Sequence, residues 1–295
     1  MTCSTCHRFG IAGHIVEITF APSEVNTIGM LPSLTPFILN DTTGEPVTRL
    51  HVDDTLTPAT EKEKIGTFDT GNGDIMVFRL KDGGYQYIIK NIYNDDCCLL
   101  ITNKDFSVCT CALTGNSTMR SFGLNNALMM CFAFATSRYK TILIHASCVD
   151  YNNRAYPFIA KSGTGKSTHS QLWIKNIPGT ELINDDNPIL RIVDNTVYLY
   201  GSPWSGKTPC YRNMYRQLGA IVEIARAKSN SIERLGAVNA LAKLLPACST
   251  MSWDKEVYGN LCDTLAEIIE KIPIYTMHCL PDDEAAIICQ TTIAP

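Results

Sequence analysis

A glycine-rich segment at residues 160–168 has the spacing of a phosphate-binding loop, Ala160-Lys161-Ser162-Gly163-Thr164-Gly165-Lys166-Ser167-Thr168. Its two glycines would let backbone N–H groups converge on a phosphate, while the lysine would reach the β- and γ-phosphates of a triphosphate. The serine hydroxyl after the lysine is the expected Mg²⁺ ligand. The motif predicts an ATP- or GTP-type nucleotide bound by Ser162, Gly163, Thr164, Gly165, Lys166, Ser167 and Thr168. The alternative is a surface turn rich in glycine and serine.

Two adjacent carboxylates lie downstream of this loop, in the run Leu182-Ile183-Asn184-Asp185-Asp186. One carboxylate can bind Mg²⁺ directly or through water, and its neighbour can accept the proton of an attacking hydroxyl. We assign the metal contact to Asp185 together with Ser167, and we count both Asp185 and Asp186 as catalytic candidates. The alternative is an ordinary polar turn after a strand.

Three further side chains could take part in phosphoryl transfer. Lys207 lies in the stretch 201–208, Gly-Ser-Pro-Trp-Ser-Gly-Lys-Thr, and could stabilise the transferred group, with Arg212 as the next candidate. The alternative is a rigid hairpin tip with solvated cations. His145 follows the apolar residues 142–144, where a hydrogen-bonded core histidine is the more common outcome. His169, in the first turn after the loop, stays unassigned.

The elements around the loop have the order that such a site needs. Residues 156–160 predict a buried strand before the loop, and residues 168–173 can continue as a helix after it. Further strands are predicted at 142–146, 182–183, 189–193, 197–200 and 274–280, and apolar periodicity predicts helices at 125–139, 231–245 and 255–271. We therefore expect an α/β nucleotide-binding domain with a mixed sheet at residues 121–295.

The first 120 residues are predicted to be mostly β. Alternating apolar residues at 15–20, 75–80 and 85–90 indicate strands, and further strands are expected at 98–101 and 106–109. Residues 40–46 and 53–64 are polar and loop-like. We expect a smaller antiparallel meander at residues 1–120 that serves as a cap or recognition module.

Composition excludes several classes of function. The chain has 295 residues, 45% of them hydrophobic and 18% charged, with a net charge of −4, which is typical of a globular protein and unlike a nucleic-acid or anionic-membrane binder. The sequence contains no apolar stretch long enough to span a membrane. The first residues lack the apolar core of a secretory signal, so we expect a cytoplasmic protein.

Thirteen cysteines are present, and in a reducing compartment most should be buried and apolar in behaviour. Cys3-x-x-Cys6-His7 matches the pattern of c-type haem attachment, but that chemistry follows export. A frayed terminus is the favoured interpretation of this segment.

The order of His145, the loop at 160–168 and Asn184-Asp185-Asp186 resembles the C-terminal kinase domain of HPr kinase/phosphorylase. That domain shares its fold with ATP-dependent phosphoenolpyruvate carboxykinase, and some HPr-kinase-related proteins also have a loop similar to residues 201–207. The resemblance covers about residues 140–250. It implies that Lys166 and Ser167 bind phosphates and Mg²⁺, that the aspartates supply metal contact and base, and that His145 lies at the active site. The chain departs from HPr kinases at Thr168, where the family usually has an acidic residue.

These observations favour an ATP- and Mg²⁺-dependent kinase that phosphorylates a hydroxyl, with serine of a protein or peptide as one candidate and a small molecule as another. A nucleotide-binding scaffold without chemistry is the rival interpretation, and decarboxylating chemistry of the phosphoenolpyruvate carboxykinase type ranks lowest. No nucleic-acid or membrane partner is expected, and a homo-oligomer stays open.

Overall fold

The computed structural model describes residues 5–41, 43–206 and 208–294. The chain divides into two compact units, Met1–Thr136 and Ser137–Pro295. Each unit contains one mixed sheet together with helices, so the protein is a mixed α/β protein. Within the described residues, no helix combines the length and the apolar character needed to cross a membrane.

Among its described residues, the first unit contains an eight-stranded sheet and one long helix. Its elements are β1 (Thr5–Ile11), β2 (His14–Phe20), β3 (Thr48–Val52), β4 (Lys62–Asp69), β5 (Asp74–Leu80), β6 (Tyr85–Lys90), β7 (Asp96–Thr102), β8 (Val108–Leu113) and α1 (Ser117–Thr136). The strand order is β1-β2-β3-β8-β7-β6-β5-β4.

The predicted antiparallel meander is present from β4 to β8. However, β3 lies between β2 and β8 and runs parallel to both. A parallel pair needs a long crossover connection, and residues 21–47 supply one between β2 and β3. The expectation of a polar loop at 53–64 is wrong at its end, because β4 begins at Lys62 and pairs with β5.

The amino-terminal segment is ordered where the structure describes it. Cys6 and His7 lie in β1, opposite Thr19 and Ile18 of β2, so the expectation of a frayed terminus is wrong for them. Cys3 lies outside the described residues. Among the described residues, no group of three or more His, Cys, Asp or Glu side chains could hold a metal ion. The described cysteines are free thiols, and most are buried.

Helix α1 extends from Ser117 to Thr136, whereas the sequence predicted a helix at 125–139 in the second domain. Its start is set by Asn116, whose side-chain oxygen accepts the backbone N–H of Met119 at 3.1 Å. The helix packs on β7, β8 and β3 of the first sheet. For this reason the first unit ends at Thr136, rather than at the expected residue 120.

The second unit contains a ten-stranded sheet and four helices among its described residues. Its strands are β9 (Thr141–Leu143), β10 (Ala146–Tyr151), β11 (Arg154–Ile159), β12 (Glu181–Asp186), β13 (Ile189–Val193), β14 (Thr196–Tyr200), β15 (Tyr215–Leu218), β16 (Ile221–Arg226), β17 (Ser231–Arg234) and β18 (Ile274–Cys279). Its helices are α2 (Lys166–Asn176), α3 (Ala237–Leu244), α4 (Lys255–Lys271) and α5 (Asp283–Ile293).

Strand β11 is central, and the sheet forks around it. β10 pairs with β11 on one side, while β15 and then β16 pair with it in parallel on the other. Beyond the fork, β15 continues to β14, β13 and β9, whereas β16 continues to β18 and β17. β12 pairs with β10 and therefore runs in the same direction as β11. The carboxyl ends of β11, β12, β16 and β18 thus point the same way, which is where ligands bind in open α/β sheets.

Two apolar cores lie on opposite faces of β11. Ala155 and Ile159 face a core that includes Leu265 of α4, whereas Tyr156 and Phe158 face a second core that includes Trp173 of α2. This alternation follows from the period of two in a strand. It explains why the strand before the loop reads as a continuous apolar run.

The predicted helix at 231–245 is wrong in its first part. Residues Ser231–Arg234 form β17 and pair antiparallel with β18, and only Ala237–Leu244 is helical. Gly236, in extended conformation, separates the two elements. The predicted helix at 255–271 is confirmed, with Asp254 accepting the backbone N–H groups of Glu256 and Val257 at its start.

Candidate functional site

The loop at 160–165 connects β11 directly to α2, which begins at Lys166. Gly163 has φ of 75° and Gly165 has φ of 131°. A Cβ atom at either glycine would meet nothing within 4 Å, so conformation and not space is what requires glycine there. The loop therefore has the backbone form in which successive N–H groups can make an anion-binding concavity at a helix start.

Arg226, at the end of β16, supports the loop from outside. Its Nε donates to the carbonyl of Thr164 at 3.0 Å, and its Nη2 donates to the carbonyl of Gly163. These two bonds fix two carbonyl oxygens of the loop. Sequence analysis missed Arg226, because it lies in a different strand and no local pattern marks it.

Ser167 and Asp185 meet at the start of α2. The Ser167 hydroxyl donates to Asp185 Oδ1 at 2.8 Å, and Asp185 is only 5% exposed. Magnesium binds oxygen at about 2.1 Å in octahedral geometry, so two neighbouring ligands lie about 3 Å apart. The two oxygens have the separation that one Mg²⁺ ion requires, and the ion would take its remaining ligands from phosphate and water.

Lys166 lies beside the same carboxylates and is 9% exposed. Burial lowers the pKa of its amino group, and the negative charges of Asp186 and Asp185 partly oppose that effect. The amino group contacts the carbonyl of Ala160 at 3.4 Å. Because the contact with the Ala160 carbonyl is long, the Lys166 amino group could replace it with a stronger bond to a phosphate oxygen.

Asp186 pairs with His145 at the open side of the site. His145 Nε2 lies 3.2 Å from Asp186 Oδ1, and the two side chains are 42% and 31% exposed. His145 is not in the core of a strand as the apolar run suggested. It lies in the break between β9 and β10, where its backbone N–H donates to the carbonyl of Ala247 at 2.6 Å.

The two aspartates therefore have different surroundings although they are adjacent. Successive residues of a strand point to opposite faces, so Asp185 reaches Ser167 while Asp186 reaches His145. Asp186 Oδ2 also accepts the side-chain amide of Asn187 at 2.9 Å. One carboxylate is buried beside the glycine-rich loop, and the other is partly exposed.

The remaining predicted residues have mixed outcomes. Lys207 lies outside the described residues, although Gly206 before it donates its N–H to the carbonyl of Asp185 at 2.6 Å. Arg212 forms an ion pair with Glu181 at 2.8 Å, at the opposite end of β12 from Asp186, so it does not serve as a second cation at the acid pair. Ser162 and Thr168 are exposed residues at the loop and in the first turn of α2.

His169 is a packing residue of the second core. Its Nε2 accepts the indole N–H of Trp173 at 3.2 Å, and its ring packs edge-on to Phe158 at a centroid distance of 4.7 Å. Burial lowers the pKa of His169 to about 4, so the ring is neutral at physiological pH. The next residue, Ser170, donates its hydroxyl to Ser147 Oγ at 2.7 Å, which ties α2 to the residue opposite Asp185 in β10.

A pocket of about 450 Å³ adjoins the loop. It lies between the first turns of α2 and the ends of β16 and β18, and its lining includes Thr168, Leu172, Ile224, Arg226 and Leu280. Its volume falls within the range of about 300–1,000 Å³ that is usual for small-molecule sites.

Comparisons with known proteins give little beyond this geometry. No family model matches the chain, and no curated protein is significantly similar to it in sequence. Among solved structures, the HPr(Ser) kinase/phosphatase from Coxiella burnetii is similar over 50% of this chain and 91% of that chain, with 11% identical residues and a TM-score of 0.31. This is a distant structural neighbour, and it assigns neither a family nor an activity to this chain.

Proposed function

We propose that the second unit is an ATP- and Mg²⁺-dependent kinase that transfers the γ-phosphate to a hydroxyl group. The observation that carries the proposal is the 2.8 Å contact between Ser167 and Asp185, which places a carboxylate beside the hydroxyl that follows a glycine-rich loop and its lysine. A glycine-rich loop, a lysine, a serine and a carboxylate together are what binding of a metal-bound triphosphate requires, whereas a surface turn requires none of them in this arrangement.

Each residue has a distinct role in this proposal. Backbone N–H groups of Gly163, Gly165 and Lys166 and the Lys166 amino group bind the phosphates, while Ser167 and Asp185 hold Mg²⁺. The N–H of Thr164 already donates to the carbonyl of Lys161 at 3.1 Å. The metal, when bound, neutralises charge on the transferring group. Asp186 accepts the proton of the attacking hydroxyl as the bond to the γ-phosphorus forms and ADP leaves. His145 orients the Asp186 carboxylate through their 3.2 Å contact.

The pocket beside the loop supports a nucleotide in preference to a bare phosphate. Leu172, Ile224 and Leu280 give it apolar surface, and residues 163–165 of the loop are part of its lining. The base and ribose of ATP would fit there. The acceptor is left as a class: a hydroxyl of a protein, a peptide or a small molecule.

The test measures nucleotide binding and phosphoryl transfer separately. The protein is incubated with γ-labelled ATP, Mg²⁺ and proteins or peptides encoded beside its gene, and labelled species are sought. Asp186→Asn should lower transfer by about 10²–10⁴-fold while the Kd for MgATP is retained. Asp185→Asn should instead weaken binding and its dependence on Mg²⁺. Asp263→Asn, an exposed acid on α4, is the matched control.

Two results would count against the proposal. If the wild-type protein binds MgATP but neither consumes it nor labels any acceptor, and Asp186→Asn changes nothing, the protein is a nucleotide-binding scaffold. If the wild-type protein does not bind MgATP at all, the interpretation of residues 160–168 is wrong.

A further inference from the structure

The described residues 201–206 and 208–210, here called the 201–210 loop, run along the edge of β12 that faces away from β10. Ser205 forms a bridge with Asp186, and the N–H of Gly206 donates to the carbonyl of Asp185 at 2.6 Å. On the return, the thiol of Cys210 donates to the carbonyl of Ile183 at 3.3 Å. The loop therefore covers the strand that carries both aspartates.

Asn184, the residue before the aspartates, connects this loop to β12 through its buried side chain. Its side chain is fully buried, and its Nδ2 lies 3.2 Å from both Ser202 Oγ and the carbonyl of Trp204, and 3.4 Å from the carbonyl of Cys210. Its Oδ1 accepts the backbone N–H of Asn187 at 3.0 Å. One amide thus contacts both arms of the loop and also the turn that follows Asp186.

Ser202 completes this arrangement. Its hydroxyl donates to the carbonyl of Asn187 at 2.6 Å and accepts the N–H of Trp204 at 3.1 Å. The turn after Asp186 is therefore held at its N–H by Asn184 and at its carbonyl by Ser202. Asparagine suits position 184 because its side chain is both a donor and an acceptor, whereas an aspartate there would place a buried negative charge against carbonyl oxygens.

We propose that Asn184 is a positioning residue of the phosphoryl-transfer site, one that fixes the 201–210 loop and the Asp186 carboxylate as a single rigid part. The inference rests on the proposed kinase function and extends it to a residue that touches neither nucleotide nor acceptor. Because displacement of a catalytic group by about 1 Å can cost about 10²-fold in rate, loosening this part should slow transfer without weakening nucleotide binding.

The experiment compares Asn184→Ala with the wild-type protein in three measurements. Hydrogen exchange at the amides of Asn187 and Gly206 should become about tenfold faster or more, while amides of α2 keep their rates. The rate of transfer from γ-labelled ATP should fall by about 10–100-fold. The Kd for MgATP should stay within about twofold, since the loop at 160–165 is untouched.

Two further variants keep the test decisive. Ser202→Ala removes a smaller part of the same network and should show the same changes in exchange and transfer, but smaller ones. It replaces Asn184→Ala as the test if that variant does not fold. Asn26→Ala removes another buried asparagine, which accepts from Arg120 at 2.8 Å in the first unit, and should leave transfer and exchange in residues 184–210 unchanged.

The inference is overturned if loop exchange does not change, or if exchange rises while transfer keeps its wild-type rate. It is also overturned if MgATP affinity falls together with transfer, because the residue would then be structural for the whole site. Failure of the proposed function looks different, because the wild-type protein itself would then show no transfer and no consumption of ATP.

Discussion

His169 should make the stability of the second unit depend on pH between about 6.5 and 4. The ring is 2% exposed, accepts the Trp173 indole N–H at 3.2 Å and has its pKa lowered by burial from 6.5 to about 4. Below pH 6.5 the histidine of the unfolded chain binds a proton while the folded one stays neutral. Unfolding therefore takes up a proton, and acid favours the unfolded state.

The magnitude follows from the two pKa values. Their difference is 6.5 − 4 = 2.5, and each pKa unit is worth about 1.4 kcal/mol. The contribution of His169 to the free energy of unfolding is fully present above pH 6.5. About 3 kcal/mol is lost by pH 4, and below that pH the dependence on His169 levels off. That loss is a substantial part of the total stability of a domain, which is about 5–15 kcal/mol.

The assay is urea unfolding at several pH values, followed by tryptophan emission. All three tryptophans, Trp173, Trp204 and Trp253, lie in the second unit, so the signal reports on that unit. The comparison variant is His169→Gln, which is neutral at every pH and can still accept the indole N–H. Other titrating groups largely cancel when the variant is subtracted from the wild-type protein.

The free energy of unfolding of the wild-type protein minus that of His169→Gln should decrease as the pH falls. The wild-type advantage at pH 7 should decrease by about 1.4 kcal/mol per pH unit below 6.5 and reach a change of about 3 kcal/mol near pH 4. A difference that stays constant across this range would refute the conclusion that His169 is held neutral by burial.

Other predictions concern the loop and its supports. Lys166→Met should raise the free energy of unfolding measured in urea, because it removes a cation whose pKa burial lowers, and should abolish MgATP binding in calorimetry. Gly165→Ala should cost about 1–3 kcal/mol of stability, whereas Gly259→Ala in α4, equally free of neighbours within 4 Å, should gain about 0.4–1 kcal/mol. Equal effects at the two glycines would contradict the role of φ. Arg226→Gln should weaken MgATP binding by about tenfold in the same calorimetric assay, since the loop carbonyls lose a charged donor.

The parts of the site that sequence analysis predicted are those with a local signal. Glycines at fixed spacing before Lys166 identify a loop whatever the fold around them, and apolar periodicity identifies the helix at 255–271. The aspartates were found because they follow an apolar strand. The assignment of the metal contact to Asp185 was a prediction from sequence, whereas the pairing of Asp185 with Ser167 and of Asp186 with His145 on opposite faces of the strand needed the structure.

The parts that were missed depend on pairing between distant segments. Residues 231–234 have helical periodicity, yet they form a strand because β18 offers an edge to pair with. Arg226 and Asn184 act through carbonyl oxygens more than a dozen residues away, and no feature of their own neighbourhood indicates it. The parallel placement of β3 likewise follows from a crossover that composition does not reveal.

The forked sheet restricts how the glycine-rich loop at 160–165 can move. Strand β11 is registered at the same time with β10 (Ala146 opposite Ile159), with β15 (Arg154 opposite Gln217) and with β16 (Phe158 opposite Val222). A slip by one residue would break three ladders at once and exchange the two core faces of the strand. The last residue of β11 is therefore a fixed anchor. Any movement of the loop on binding a ligand must come from rotations of its own backbone, chiefly at its glycines, and not from sliding of the strand beneath it.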